Sequence, residues 1–324
     1  MPETTPWAFP PDLQPADDDL TFALGRVLDA VVSVRAEIPD EAFTAGILGT
    51  ERLGNGVVIR ADGLVLTIGY LITEAQTIWL TNNAGVAVEA HPMAYDQASG
   101  FGLVLPLRPF SVPMLERGSS AGVRVGSDVL VIGHGGRQHA LKARLVSRRE
   151  FAGYWEYVLD EALFTAPAHP QWGGAALVDE EGRLIGIGSL LVQESVEEEE
   201  VQGNMFVPID LLEPILDDLL RNGRVSGPPR PWLGMYTAEI GQHLVVNALA
   251  DGGPAESAGV RVGDVVVEVA GERPNGLADL FRRIWALGRA GTEVPLLLSR
   301  QGQLLRVGVR SADRAQFLWR PSLQ

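Results

Sequence analysis

Histidine and hydroxyl side chains are the first candidates for chemistry in this chain of 324 residues, because it contains no cysteine. A covalent hydrolytic mechanism needs a hydroxyl or thiol nucleophile, a base that takes its proton and a carboxylate that orients the base. No serine lies between Gln171 and Gly188, and Ser189 is the next hydroxyl. No histidine is paired with a nucleophile at a strand-to-turn position. The histidines are His91, His134, His139, His169 and His243.

Residues 169–177 read HPQWGGAAL and are followed by an acidic turn and the strand LIGI at 184–187. This stretch resembles the nucleophile segment of HtrA/DegP-type trypsin-like serine proteases, N-P-G-N-S-G-G-P/A-L-V, followed by a turn and V/I-I-G-I. The resemblance places Gly173 at the serine position. It places Gln171 where a family glycine supplies one N–H of the oxyanion hole, so a degenerate oxyanion hole is expected.

Two further segments align with the same family in the same order. Residues 54–59 (GNGVVI) and 64–72 (LVLTIGYLI) are similar to G-S-G-V-I-I and I-L-T-N-x-H-V-V, which puts Tyr70 at the histidine position. Residues 95–104 (YDQASGFGLV) are similar to D-x-x-[ST]-D-L-A-V-L, which puts Gly100 at the aspartate position. The resemblance therefore covers about residues 28–210, with all three catalytic positions altered.

The residues at these positions cannot perform the family's chemistry. The hydroxyl of Tyr70 has an ordinary pKa near 10, and Gly100 and Gly173 have no side chain. Because loss of one triad member lowers turnover about 10⁶-fold, we predict that the chain is not an enzyme. It would be a pseudoprotease that acts as a peptide- or protein-binding scaffold or chaperone-like factor. The alternative is an HtrA-like serine endopeptidase with an unanticipated nucleophile. Trp172 either plugs the former specificity pocket or packs in the core.

A second module follows a Gly-Pro-Pro linker. Residues 231–235 (PWLGM) and 252–271 (GGPAESAGVRVGDVVVEVAG) resemble a PDZ domain of the HtrA kind, and apolar residues at helical spacing predict a helix near 277–287. The resemblance implies a groove that binds C-terminal peptides by strand addition and receives their carboxylate on backbone N–H groups near Trp232 to Gly234. The alternative is that the module only packs on the barrel or caps an oligomer. The implied peptide-binding residues are Trp232, Leu233, Gly234, Met235, Phe281 and Ile284.

The predicted fold is mostly β, a trypsin-like double six-stranded antiparallel β-barrel followed by a PDZ-like α/β domain. Alternating apolar runs separated by turn residues support the strands. The expected boundaries are an N-terminal arm at 1–27, the protease-like domain at 28–222, a linker at 223–230, the PDZ-like domain at 231–312 and a tail at 313–324.

Composition limits the partners. The formal net charge of −15, without a basic stripe, predicts no nucleic-acid partner. No metal or other cofactor is expected, because thiolates and a His-Glu-x-x-His pattern are missing from the sequence. No apolar run has the length of a membrane span, and the N-terminal residues lack the features of a signal peptide, so no membrane partner and a cytoplasmic location are expected.

An N-terminal arm rich in proline carries Trp7 and Phe9. HtrA-like barrels associate through aromatic residues of this arm, and the resemblance therefore implies a homotrimer. The alternative is a tail that makes no intersubunit contact. The expected binding partners are C-terminal peptides or unfolded proteins.

Overall fold

A computed structural model describes residues 7–196 and 199–319 of the protein. The chain divides into two compact units. The first contains the described residues up to Arg149, those of Glu161–Val225, and Trp319. The second contains Glu150–Asp160 and Ser226–Leu318.

The first half of unit 1 is a closed antiparallel barrel with the strand order β1-β2-β3-β6-β5-β4. Buried apolar side chains line the interior of its strands, as in β1, where Val32, Val34 and Ala36 are buried and Arg35 is exposed. Burial of these apolar side chains is the main favourable term in the stability of the barrel. The strands are β1 Val31–Glu37, β2 Glu51–Val58, β3 Val65–Ile68, β4 Thr77–Thr81, β5 Ala87–Tyr95 and β6 Phe101–Pro106, with helices α1 Leu24–Asp29 and α2 Ala45–Leu48.

The second half of unit 1 is another closed barrel, with the order β10-β11-β12-β9-β8-β7. Its core includes the fully buried Val131, Leu163 and Phe206. Helix α3 ends at Gly223, whose φ of +69° provides the left-handed residue that commonly terminates helices. The elements are β7 Asp128–Ile132, β8 Ala140–Gly153, β9 Tyr157–Ala166, β10 Ala176–Val178, β11 Leu184–Val196, β12 Glu199–Pro208 and α3 Glu213–Asn222.

Unit 2 is built on a five-stranded sheet with the order β13-β14-β15-β16-β17. Helix α5 packs its apolar side, including Phe281 and Ile284, into the core of this unit. The elements are β13 Met235–Ile240, β14 His243–Leu249, α4 Pro254–Ser257, β15 Val265–Val269, α5 Leu277–Ala286, β16 Glu293–Arg300 and β17 Gln303–Arg310.

The two barrels and the α/β unit confirm the predicted fold class. One segment belongs to a different unit from the one that the predicted domain boundaries assign to it. The tip of the β8–β9 hairpin, Glu150–Asp160, packs in unit 2 although it falls within the predicted protease-like domain. Among the described residues, no helix is long and apolar enough to cross a bilayer.

Candidate functional site

The structure brings the three predicted triad positions together in unit 1. Tyr70 lies in the short 3-10 turn Gly69–Leu71 that follows β3, and Gly173 lies in the loop before β10. A Cβ atom added to Gly173 would be 2.8 Å from Oη of Tyr70. Gly100 precedes β6, and its carbonyl oxygen accepts a hydrogen bond of 2.7 Å from the N–H of Gly69.

The hydroxyl of Tyr70 is held in place by two hydrogen bonds. It donates to the carbonyl oxygen of Ser189 at 2.9 Å and is hydrogen-bonded to the side chain of Trp172. Burial raises the pKa of Tyr70 above its ordinary value of 10, and the Trp172 hydrogen bond opposes that shift only in part. The hydroxyl therefore stays neutral and is not a general base at physiological pH. The side chain of Trp172 thus lies beside Tyr70, at the position that a histidine occupies in the family, and forms a hydrogen bond with its hydroxyl.

The N–H group expected to form part of an oxyanion hole has a partner within the chain. The backbone N–H of Gln171 donates to Nδ1 of His169 at 3.0 Å. The neighbouring carbonyl oxygens of Gln171 and Gly173 accept from Nδ2 of Asn55 at 2.8 and 3.2 Å, and Gly173 also accepts from the N–H of Asn55 at 2.8 Å. This loop conformation directs carbonyl oxygens towards Asn55 and uses the Gln171 N–H internally. An oxyanion would not find the Gln171 donor.

His169 is fully buried and has a structural role. Its Nε2 lies 3.0 Å from the carbonyl oxygen of His139, and its backbone N–H donates to Oδ1 of Asn204 at 2.6 Å. Burial lowers the pKa of His169 to about 4, although the hydrogen bond to His139 opposes the shift. With both ring nitrogens engaged, His169 is neutral and has no free position for a proton. Within the described residues, no group of three His, Asp or Glu side chains could hold a metal ion.

A buried arginine that the sequence did not single out supports the Tyr70 turn. Nη1 of Arg52 donates to the carbonyl oxygens of Tyr70 at 2.6 Å and Thr73 at 3.0 Å, and Nη2 donates to Oγ1 of Thr44 at 2.7 Å. Burial lowers the pKa of Arg52 to about 10, and the nearby Glu74 carboxylate partly offsets the effect. Arg52 remains charged and fixes the backbone that carries Tyr70.

Gly100 has a conformation that disfavours an aspartate. Its φ is +83°, in the left-handed region that residues with a Cβ adopt at a cost. Two glycines near it in the sequence or the structure are closely packed: a Cβ on Gly69 would be 2.1 Å from the ring of Tyr95, and one on Gly102 would be 2.8 Å from Ile72.

Unit 2 contains a cluster of backbone donors that we call the carboxylate cradle, formed by the N–H groups of Leu233, Gly234 and Met235. All three donate to Oε1 of Glu156, at 3.1, 2.8 and 3.2 Å. Oε2 of Glu156 accepts a further bond from Leu233 at 3.1 Å. Burial raises the pKa of Glu156 to about 7, while the three N–H groups and Arg314 act in the opposite direction.

Four of the residues predicted to bind peptide are buried in the core of unit 2. Leu233, Met235, Phe281 and Ile284 are at most 1% exposed and pack in one apolar cluster that also includes Val158 of the hairpin tip. Side chains of the chain itself, Val158 among them, therefore cover this part of the groove that the resemblance implies.

Trp232 lies outside the cradle. Its N–H donates to the carbonyl oxygen of Ala312 at 3.1 Å, and its ring lies 4.8 Å from that of Phe317. The expected donors from Trp232 to Gly234 are displaced by one residue, because Trp232 pairs with the chain after β17 and Met235 donates instead.

The aromatic residues of the N-terminal arm pack within unit 1. The ring of Trp7 lies 4.3 Å from that of His139, and Phe9 lies 5.1 Å from His169. The N–H of Phe9 donates to the carbonyl oxygen of Gln138 at 3.0 Å. These contacts hold the arm on the second barrel.

Comparison with protein families identifies both modules. Residues 54–187 match the trypsin-like peptidase domain, and residues 245–300 match the PDZ domain. The chain therefore combines a trypsin-like peptidase domain with a PDZ domain, the arrangement found in HtrA/DegP-type proteins.

Among the relatives, a probable periplasmic serine endoprotease DegP-like from Pseudomonas fulva is 28% identical over 298 residues, with 85% of this chain and 60% of that protein covered. The periplasmic pH-dependent serine endoprotease DegQ of Escherichia coli is 28% identical over 317 residues, covering 88% of this chain and 68% of DegQ. A solved structure of the HtrA-type protease AlgW with tripeptide has a TM-score of 0.52 and 19% identity, covering 89% of this chain and 95% of AlgW.

These relatives correct one prediction. The expected cytoplasmic location is contradicted, because both of these sequence relatives are named as periplasmic proteins. Their names also agree better with the alternative of a serine endopeptidase than with an inactive protein. The chain spans 60% of the length of the Pseudomonas relative.

Proposed function

We propose that this protein binds polypeptide C-termini through the carboxylate cradle of its PDZ domain and does not hydrolyse peptide bonds by a serine mechanism. The observation that carries the proposal is the convergence of the N–H groups of Leu233, Gly234 and Met235 on a single carboxylate, that of Glu156. Three aligned backbone donors form an anion site that suits the planar carboxylate at a chain end, and the positive charge of Arg314 also favours a carboxylate there.

The position of the cradle supports recognition of an extended chain. The three donors immediately precede and begin β13, which is the edge strand of its sheet. A peptide bound there would pair its main chain with β13 and place its terminal carboxylate on the cradle. The apolar cluster around Phe281 and Ile284 would receive an aliphatic last side chain.

The residues at the catalytic positions support the proposed absence of serine catalysis. Gly173 supplies no hydroxyl, the neutral hydroxyl of Tyr70 donates a hydrogen bond to the backbone carbonyl oxygen of Ser189, and the N–H of Gln171 donates to Nδ1 of His169. A serine mechanism requires a base within reach of the nucleophile. It also requires an oxyanion hole whose donors point at the reacting oxygen. The substitutions remove the nucleophile, the base and one donor together.

The remaining parts of the proposal are its location and assembly. The names of the sequence relatives support a periplasmic location. A chaperone-like role in binding unfolded chains is consistent with the cradle.

We also propose a homotrimer in which Trp7 and Phe9, held on the second barrel, contribute to the contact between subunits. Light scattering at micromolar concentration gives the mass of a trimer if this is correct and that of a monomer if it is not.

A serine endopeptidase remains the second candidate, favoured by the names of the relatives. Incubation of the full-length protein with unfolded casein separates the two candidates. The proposal expects no new casein fragments by mass spectrometry. Fragments that disappear when one serine or threonine of this chain is replaced by alanine would establish the endopeptidase.

Peptide binding is tested by calorimetry with the full-length protein and two forms of Gly-Ser-Gly-Ala-Val-Val, one with a free terminal carboxylate and one amidated. The free acid should bind at least about tenfold more tightly, because only it offers a charged acceptor to the cradle. Equal affinity of the two forms would contradict carboxylate recognition.

A further inference from the structure

The hairpin tip Glu150–Asp160 lies along the site where the proposed ligand would bind. Its residue Tyr154 accepts a hydrogen bond at its carbonyl oxygen from the N–H of Thr237, at 3.2 Å. Thr237 belongs to β13, the edge strand, so this bond is a main-chain contact of the type made in strand addition.

The next residues of the tip fill the other two parts of the groove. The carboxylate of Glu156, 5% exposed, occupies the carboxylate cradle, and Val158 packs in the apolar cluster with Phe281 and Ile284. Main-chain pairing, a carboxylate on the three N–H groups and an aliphatic side chain in the cluster are the three contacts that a C-terminal peptide would make.

The conformation of the tip fits this arrangement. Glu156 has a φ of +61°, a left-handed conformation that is uncommon and costly for a residue with a long side chain. Strained residues of this kind persist where the surrounding contacts stabilise them, often at functional sites. Here the contacts are the hydrogen bonds from Leu233, Gly234 and Met235 to the carboxylate.

Arg282 on helix α5 holds both sides of the tip. Its guanidinium pairs with Glu150 at 2.5 Å through Nη1 and with Asp160 at 2.5 Å through Nη2. These ion pairs are exposed to solvent and contribute little to stability. Arg282 therefore contributes a contact to the tip that lies outside the cradle, and docking of the tip can be weakened modestly at this residue without a change to the cradle.

From these contacts we infer that the hairpin tip is an internal ligand of the PDZ groove, with the Glu156 side chain in the place of a partner's terminal carboxylate. A partner's C-terminus and Glu156 then compete for the same three N–H groups. The inference rests on the proposed function, because it identifies what must leave before a peptide binds.

The experiment compares the wild-type full-length protein with Glu156→Ala at pH 7.5, using fluorescein-labelled Gly-Ser-Gly-Ala-Val-Val with a free carboxylate. The affinity of Glu156→Ala should be at least about tenfold higher, since the competing carboxylate is removed while the cradle is retained. Hydrogen exchange at residues 233–235 in the absence of peptide should be at least about tenfold faster in the variant.

Two further variants serve as controls. Glu161→Ala removes the same charge from the same hairpin, but Glu161 pairs with Arg148 and not with the cradle. Its peptide affinity should equal that of the wild type. Arg282→Met loosens the tip and leaves Glu156 in place, so it should raise the peptide affinity about threefold or more and provides a second test if Glu156→Ala folds poorly.

The outcomes separate the inference from the proposed function. If the free-acid peptide binds wild type, Glu156→Ala and Arg282→Met with equal affinity, the internal-ligand inference is overturned and the proposed function stands. If the peptide binds none of the three while Glu156→Ala retains its fold by circular dichroism, the proposed function fails, and the inference that depends on it fails as well.

Discussion

A side chain at position 173 would begin 2.8 Å from the hydroxyl oxygen of Tyr70. That distance is shorter than a Cβ atom tolerates, so the side chain of Tyr70 would have to shift before a serine could stand at position 173. Tyr70 is held there by its hydrogen bond to Ser189 and by Arg52 on its carbonyl oxygen. The two positions are adapted to each other as a packed pair.

The first prediction concerns restoration of the nucleophile. Gly173→Ser should give no casein hydrolysis, because its Cβ displaces Tyr70 and no base is present. The triple variant with Tyr70→His and Gly100→Asp should also remain inactive, since position 100 has a φ of +83° and the Gln171 N–H still donates to His169. Fragment analysis by mass spectrometry is the measurement. Turnover by the single variant would show that a base exists elsewhere.

The second prediction concerns the glycine after the nucleophile position. Gly174 has a φ of +74°, and an added Cβ would lie 1.9 Å from the carbonyl oxygen of Asn55. Gly174→Ala should lower the free energy of unfolding by about 3 kcal/mol or more in urea denaturation, because a backbone clash adds to the left-handed penalty.

Gly85→Ala is the matched control for that substitution. Gly85 has a similar φ of +78°, but an added Cβ would have nothing within 4 Å. Its cost should be only the conformational term of about 1 kcal/mol. Equal losses in the two variants would mean that the loop around Gly174 relaxes away from Asn55.

The third prediction concerns a buried aspartate and its partly exposed arginine partner in unit 2. Asp264 is 1% exposed and accepts hydrogen bonds of 2.7 Å from Nε and Nη2 of Arg300. Asp264→Ala should lower the free energy of unfolding by about 2 kcal/mol, because the N–H of Arg261 loses its acceptor and Arg300 keeps only its bond to the carbonyl oxygen of Gly259. The exposed pair of Asp128 with Arg144 is the control, and Asp128→Ala should cost below about 0.5 kcal/mol.

The pair of Asp264 with Arg300 also makes the stability of the folded protein depend on pH in the acid range. Burial tends to raise the pKa of Asp264, but hydrogen bonds from Arg300 and the N–H of Arg261 outweigh it and hold the pKa below 3.8. A carboxyl with a lowered pKa stabilises the folded state above its ordinary pKa, and this contribution is lost as the pH falls below 3.8. The free energy of unfolding of Asp264→Asn, measured by urea denaturation below pH 3.8, should therefore fall less steeply with decreasing pH than that of the wild type.

The fourth prediction concerns the pH dependence of hairpin docking. The pKa of Glu156 is raised by burial from 4.5 to about 7, against the opposing effects of its hydrogen bonds and Arg314. Between those values the docked carboxyl binds a proton that the released one does not, so docking weakens as the pH rises through this interval. Tyr236, which also faces Glu156, has a raised pKa and stays neutral here.

Hydrogen exchange at residues 233–235, corrected for the intrinsic rate, is the measurement for this dependence. The docking equilibrium of the wild type should be at least about tenfold more favourable at pH 5 than at pH 8. Glu156→Gln has no titratable group and should show a nearly flat profile. A wild-type profile that is equally flat would show that Glu156 does not titrate in this interval.

The sequence was sufficient for the fold class, because the fold depends on local motifs; the loss of the catalytic triad stays a prediction. Tyr70, Gly100 and Gly173 each lie within a recognisable block, and the structure brings the three blocks together. The role of Glu156 could not be predicted, since its contact with Leu233 joins residues 77 positions apart and nothing local distinguishes it among 41 acidic residues.

The shift of the carboxylate cradle by one residue, from Trp232–Gly234 to Leu233–Met235, could not be predicted for a similar reason. Motif alignment located the donors near Trp232, but the bridge between Trp232 and Ala312 decides which N–H groups remain available. That bridge depends on where the chain lies after β17, which a local motif does not specify. Asn55 and Asn204 were missed for the same reason, because their partners are distant in the sequence.

Labelling with a fluorophosphonate at pH 8 tests the central claim most directly. This reagent reacts with an activated serine and requires neither a particular substrate nor a bound peptide. Intact-mass analysis of the full-length protein, with active trypsin as the control, should show an unmodified chain, because no serine occupies position 173 and Tyr70 cannot take a proton. Attachment of one equivalent of phosphonate to a single serine would contradict the account and identify the chain as a serine hydrolase.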